Sequence, residues 1–368
     1  MIKLFDTSVS AEEQEIVCCV LASGKTAVGP HVPALEEELA EFLGGGHVVT
    51  CNSGTDALTL CYETLALDTF GDCIVPAMTF SATAESVINS GHDVAFIDII
   101  ETLASPCTPE LNHLISERID SRLGTAAVIL PHLYGHPAYY LREIKAVCEF
   151  YKVPLIEDCA QCFGADLDGV MLGSWGDAAA FSFYPTKPLG GIGHGGAAWF
   201  KEKEQADWAR SRRNHGRTPE GSQVRVGYNS RMDEANAAVL RDRLSRYRGS
   251  IDSRRELSDR YSQRGLLPLS LRTRGSGVPA CYPILVDQRE ALRFRLADLG
   301  VETGVHYDTA LSDMGHLGGL RNCPNATRFA QRIVTLPCHP KMSYHDVDRI
   351  ADVVLTESAR GETENAGA

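Results

Sequence analysis

The residues with the most chemical potential fall between positions 156 and 196, from IEDCAQ to GIGHGG. An apolar run ends there in Glu157-Asp158, so a carboxylate arrives at the carboxyl edge of a buried strand, where open α/β folds bind ligands. A second run, AAAFSF, passes Ser182 and leads through Lys187 into the glycine-rich stretch Gly190–Gly196. Taken singly, Asp158 could cap a helix, Lys187 could be a solvated loop lysine, and the glycines could be turn residues. Taken together they meet the needs of pyridoxal phosphate (PLP). That cofactor wants a lysine amine for a Schiff base, a carboxylate to keep its pyridine nitrogen protonated, and donors for its phosphate. The turn Asn52-Ser53-Gly54-Thr55, between a strand and a helix, can supply those donors. A glycine-containing turn that opens a helix offers free N–H groups and the positive end of the helix dipole to an anion. The same turn also reads as an ordinary helix cap.

Alternating elements must position these residues. Apolar runs predict strands at His47–Cys51, Cys73–Pro76, Val94–Asp98, Ala126–Pro131, Pro154–Asp158, Ala178–Phe183 and Ala197–Phe200. Several are continuous and not alternating, the pattern of strands covered on both faces of a mainly parallel sheet. Helical patterns lie between them at Pro33–Leu43, Asp56–Leu67 and Leu141–Tyr151. This alternation predicts an α/β doubly wound domain with crossover connections over residues 1–248. A long helix, about Met232–Tyr247, leads away from it. Residues 249–368, with a strand at Cys281–Val286, read as a smaller α+β domain, and the polar tail Gly361–Ala368 as disordered.

Bulk properties narrow the function. The chain has 368 residues and a formal net charge of −13, which argues against a nucleic-acid partner, since that needs a basic footprint. No apolar run approaches the ~18 residues that span a bilayer, and the N-terminus MIKLFDTSVS has no signal-peptide core, so a cytoplasmic location is expected. The twelve cysteines are scattered through apolar segments and read as reduced thiols. Cys159 and Cys162 form a lone C-x-x-C, and no metal site is expected. One basic cluster, Arg210, Arg212, Arg213, Arg217 and Arg225 with His215, could grip a diphosphate or simply be a solvated face.

The segments CNSGTDAL (51–58), PAMTFSATAES (76–86), HLYG (132–135), IEDCAQ (156–161), GSWGDAAAFSFYPTK (173–187) and GYNSRMDEANAAVL (227–240) resemble the DegT/StrS family of sugar aminotransferases, in order and spacing. The resemblance implies the PLP-dependent transferase fold of type I, like aspartate aminotransferase, in a homodimer with shared active sites. It implies Lys187 as the Schiff-base lysine and Asp158 as the pyridinium partner. Gln161 would meet the cofactor's phenolic oxygen, and Phe80 would stack on its ring. Gly54, Thr55 and Ser182 would hold the phosphate together with an asparagine, Asn229, given by the partner subunit. Related dehydratases carry histidine at the Lys187 position, so lysine favours transamination. The chain departs from the family pattern at Phe163, at His194 in Gly193–Gly196, and after His306-Tyr307, where Asp308 follows and Ser312 stands in place of a second histidine.

The expected activity is transfer of an amino group from glutamate or glutamine to the keto group of a nucleotide-linked (TDP or UDP) deoxysugar. The cofactor would alternate between PLP and pyridoxamine phosphate (PMP). Tyr184, Arg213, His306 and Tyr307 are the candidate substrate contacts. The same chemistry on a keto-cyclitol of the aminoglycoside type, and a non-catalytic cofactor-binding regulator, are the competing readings.

Overall fold

The computed structural model describes residues 1–66, 69–266, 269, 276–318 and 321–365. Helix α1 (Ala11–Ala22) starts at a capping box in which Ser10 and Glu13 satisfy each other's backbone N–H groups, and α2 (His31–Phe42) follows. Strand and helix then alternate: β1 (His47–Cys51), α3 (Gly54–Ala66), β2 (Asp72–Pro76), α4 (Ala82–Ile88), β3 (Val94–Ile97), α5 (Thr108–Asp120), β4 (Thr125–Pro131), α6 (Leu141–Tyr151) and β5 (Leu155–Asp158). A short hairpin, β6 (Asp166–Leu167) and β7 (Val170–Met171), precedes β8 (Ala178–Ser182) and β9 (Gly196–Phe200). Beyond them lie α7 (Lys203–Arg212), α8 (Glu234–Ser245), α9 (Tyr247–Gln263), β10 (Tyr282–Leu285), α10 (Arg289–Asp298), α11 (Pro324–Arg332), β11 (Ile333–Leu336) and α12 (Tyr344–Asn365).

Seven strands form one sheet in the order β1-β9-β8-β5-β4-β2-β3. All run the same way except β9, which is antiparallel to both its neighbours. Successive residues serve opposite cores, as the period of two requires. Ala127 and Ile129 pack with Leu60 and Tyr62 of α3 on one face. Val128 and Leu130 pack with Leu39 of α2 and Ile144 of α6 on the other. Both faces are therefore covered, which is why the strands read as unbroken apolar runs. A third core joins Leu257 and Tyr261 of α9 to Leu296 of α10, Val334 of β11 and Ile350 of α12, and Ile2 bridges to Val301 beside it.

The strands fall where the apolar runs place them, to within a residue or two at each end. The helix expected at Met232–Tyr247 is α8, and α9 follows it after a single residue. Arg246 leaves helical geometry at φ −112°, ψ 9°, and the chain turns there. The turn lets Ala237 and Leu240 bury in one core and Leu257 and Tyr261 in another. The tail expected to be disordered from Gly361 is helical as far as Asn365, since extending an existing helix costs far less than nucleating one; residues 366–368, like Leu67, lie outside the described part. No helix among the described residues is long and apolar enough to cross a membrane.

Candidate active site

Four of the parallel strands release the chain at one edge of the sheet, and most of the candidate cofactor residues follow them. Gly54 and Thr55 come after β1, Phe80 after β2, Asp158 and Gln161 at and after β5, and Ser182 and Lys187 at and after β8. The topology gathers residues from positions 54 to 187 without any long-range signal in the sequence.

The adjacent acids of β5 have separate fates. Glu157 is fully buried and accepts from the N–H groups of Gly173 (2.9 Å), Trp175 (2.7 Å) and Gly176 (2.7 Å). It also meets Nε2 of His132 at 2.9 Å. The other ring nitrogen of His132 accepts from the N–H of Ala138, so Nε2 carries the proton and donates to Glu157. Cys159 lies close enough to this pair to suggest a metal cluster. With both imidazole nitrogens engaged and the carboxylate filled by donors, the set is already satisfied without an ion. Asp158, one residue on, points to the other face. Its Oδ2 accepts from Thr83 Oγ1 at 2.8 Å and its Oδ1 from the N–H of Ala160 at 3.1 Å.

Lys187 follows a turn in which its own N–H donates to the carbonyl of Tyr184. Its amine is partly buried, and desolvation holds its pKa below the usual lysine value although the charge of Asp158 pulls it back up. Gln161 is clamped at both ends of its amide. Oε1 accepts from the N–H of Tyr134 at 2.7 Å, and Nε2 donates to the hydroxyl of Tyr307 at 2.8 Å. Phe80 is 54% exposed, unusual for a phenylalanine, and its ring lies 5.5 Å from that of Tyr307 at 35°. Burial beside Asp158 raises the Tyr307 phenol. Burial near Lys187 lowers His306 to about 4, and its Nδ1 lies 2.8 Å from Thr335 Oγ1.

At the start of α3, Ser53 serves Asp56 and Ala57: its hydroxyl takes the N–H of Asp56 and its carbonyl that of Ala57. The first-turn N–H groups of Gly54 and Thr55 have no acceptor among the described residues, as an anion cradle requires. A side chain at Gly54 would place its Cβ 2.7 Å from Cβ of Ser182, so only glycine lets this turn approach β8. Ser230 braces the same turn from outside, taking the N–H of Asn52 (3.1 Å) and donating to Asp56 (2.6 Å).

The sequence profile of the DegT/DnrJ/EryC1/StrS aminotransferase family matches residues 7–355. The chain belongs to that family. This aminotransferase is 34% identical over 333 residues to the UDP-2-acetamido-2-deoxy-3-oxo-D-glucuronate aminotransferase of Pseudomonas aeruginosa, covering 87% of this chain and 89% of that one. It is 32% identical over 359 residues to the dTDP-3-amino-3,4,6-trideoxy-alpha-D-glucose transaminase of Streptomyces venezuelae, covering 94% and 91%. Its fold matches the putative sugar aminotransferase Spr1654 of Streptococcus pneumoniae in its PMP form, with a TM-score of 0.90, 25% identity and 99% of each chain covered. The same protein has been solved in a PLP form. The fold is thus type I, and PLP is the cofactor of the aminotransferase. The residues here fit it: a lysine within electrostatic reach of a carboxylate, an amide, an exposed aromatic face, and a helix N-terminus that tolerates no side chain.

Three arginines of the basic cluster of the aminotransferase are paired with acids of the same chain. Arg213 is engaged by Glu36 at 2.6 Å and by Thr50, Arg210 reaches Glu36 and the carbonyl of Val48 (2.9 Å), and Arg212 forks onto Glu63 at 2.7 and 2.8 Å. These guanidiniums neutralise buried acids of α2 and α3, and Arg213 meets Glu36 and Thr50 through Nη1. Tyr184 stays exposed, its ring edge-on to His194. Asn229 is exposed on the segment bridged to Asn214, next to the buried Ser230. Sequence reasoning missed Thr83 and Tyr134. Tyr134 adopts φ 59°, ψ 12°, a left-handed conformation rare for a bulky residue and one that clusters at functional sites. Both residues lie inside quoted motifs, but nothing in the motifs says what their side chains touch.

Proposed function

We propose that this aminotransferase carries an amino group from glutamate or glutamine to the keto group of a nucleotide-linked deoxysugar, in amino-sugar or antibiotic biosynthesis. It would work as a cytoplasmic homodimer. The observation that carries the chemistry is a lysine with a depressed pKa set against a carboxylate at the same sheet edge. The relatives named above act on UDP- and dTDP-linked sugars, which supports the acceptor class.

When bound, PLP supplies an electron sink for the bond broken at the donor's Cα. The protein's part follows from its own groups. Lys187 releases its proton more easily than a solvated lysine, so its amine can take the Cα proton of the donor and return it elsewhere. Asp158, held by two donors, would be the partner of the ring nitrogen. Gln161 offers an amide to the phenolic edge, and Phe80 gives a flat apolar face. The first turn of α3 and Ser182 take the phosphate. Asn229, exposed and far along the chain, is suited to serve the phosphate of a second subunit. His306 stays neutral at physiological pH, and with Tyr307 and Tyr184 it would contact the sugar.

Lys187→Ala should abolish turnover and the visible absorbance of lysine-bound cofactor. Offering nucleotide-linked keto sugars and free keto-cyclitols side by side tests the acceptor. Turnover of the cyclitols alone would overturn this reading.

A further inference from the structure

Behind Asp158 lies a short hydroxyl chain. Thr79 and Thr83 are buried, at 2% and 0% exposure, and their hydroxyl oxygens are 3.0 Å apart. Thr83 Oγ1 is also 2.8 Å from Oδ2 of Asp158. An ionised carboxylate only accepts, so Thr83 must spend its single proton on Asp158. Thr79 must then donate to Thr83. The direction of the whole chain is fixed, Thr79 to Thr83 to Asp158, and such chains polarise along their length.

We infer that Thr83, backed by Thr79, is a positioning residue that fixes the Asp158 carboxylate toward the cofactor's pyridine nitrogen. The inference rests on the role assigned to Asp158 above. Thr83 holds one carboxylate oxygen and the N–H of Ala160 the other. Donors on both oxygens stop the carboxylate from rotating about its Cβ–Cγ bond and leave its remaining lone pairs aimed at the ring. Thr83 sits in the first turn of α4, three residues after Phe80. One short segment therefore sets both the face of the ring and its nitrogen partner, with Phe80 open to the site and its neighbours Thr79 and Thr83 turned into the core.

The test uses the holoenzyme of Thr83→Val, which keeps the shape and removes the donor. Loss of one hydrogen bond to a charged group weakens the hold on the ring nitrogen's proton by about tenfold. With less positive charge on the ring, the imine nitrogen at Lys187 binds its own proton more tightly. The visible-spectrum pH titration of the bound cofactor should move up by about one unit and kcat should fall about tenfold, with KM for the keto sugar unchanged. Thr83→Ser should restore both. Thr79→Val leaves the direct bond in place and should shift the titration in the same direction by less, about threefold in proton affinity. Asp158→Asn is the reference: if it leaves the titration unmoved, the assignment of Asp158 itself fails. If Asp158→Asn moves it and Thr83→Val does not, the positioning role is overturned. Should Thr83→Val fail to fold, a wild-type titration in Thr79→Val overturns the chain.

Discussion

Replacing Gly54 with alanine separates phosphate binding from folding. The added Cβ would sit 2.7 Å from Cβ, 3.1 Å from Oγ and 3.3 Å from Cα of Ser182. Ordinary contact begins near 3.4 Å, so the first turn of α3 must retreat from β8 by about half an ångström or more. Overpacking of this kind costs about 1–3 kcal/mol, and alanine's better helix propensity returns up to about 1 kcal/mol. The net change in stability of the cofactor-free protein is then about 0–3 kcal/mol. The cradle suffers as well. The N–H groups of Gly54 and Thr55 move off the phosphate, and one charge-assisted hydrogen bond is worth about 1.5–3 kcal/mol, or roughly 10- to 150-fold in affinity. Fluorescence titration of the cofactor-free variant with PLP should show that loss of affinity, with a melting temperature within a few degrees of wild type. Wild-type PLP affinity in a folded variant would refute the assignment of the α3 N-terminus to the phosphate.

Glu157→Gln should destabilise by about 3–5 kcal/mol in urea unfolding, because an amide nitrogen must now face one of four buried donors; a loss under 1 kcal/mol would contradict the buried network. Arg213→Ala strands the buried Glu36, which keeps Arg210 and Thr50 as partners, and should cost about 2 kcal/mol with no change in KM for the nucleotide sugar. A tenfold rise in KM at unchanged stability would return Arg213 to the substrate site. Burial lowers both His136 and His306 to about 4, against 6.5 in the unfolded chain. The unfolded state binds more protons between those values, so stability should fall as pH drops from 6.5 to about 4, by up to about 3 kcal/mol for each histidine. A pH series of thermal melts checks this, and His136→Asn should flatten the slope.

The sheet was legible because strands covered on both faces must be apolar throughout, and short runs such as LIED and AAAFS have few other uses. The strand β11 was not: IVTL directly follows a helix, and four apolar residues there read equally well as its last turn. Lys187 and Asp158 could be proposed from sequence because Asp158 ends one apolar run and Lys187 closely follows another, a placement that local pattern reveals. The pairing of Arg213 could not be read that way. Its charge was visible, but its partner Glu36 lies 177 residues earlier, and pairing at such a distance leaves no local trace. Thr83 escaped for a similar reason, its acceptor being 75 residues away on β5.

Glu157 and Asp158 differ in duty only because a strand turns successive side chains to opposite sides. Deleting a single residue from β5 would exchange them, presenting the anchored acid to the cofactor and sending the working one into the foundation. Both tasks would be lost at once, although no acid had been removed. If Asp158 has the role proposed for it, the length of this four-residue strand matters as much as the identity of its last residue, and gene variants with a one-residue insertion or deletion here should be inactive even where they conserve every motif.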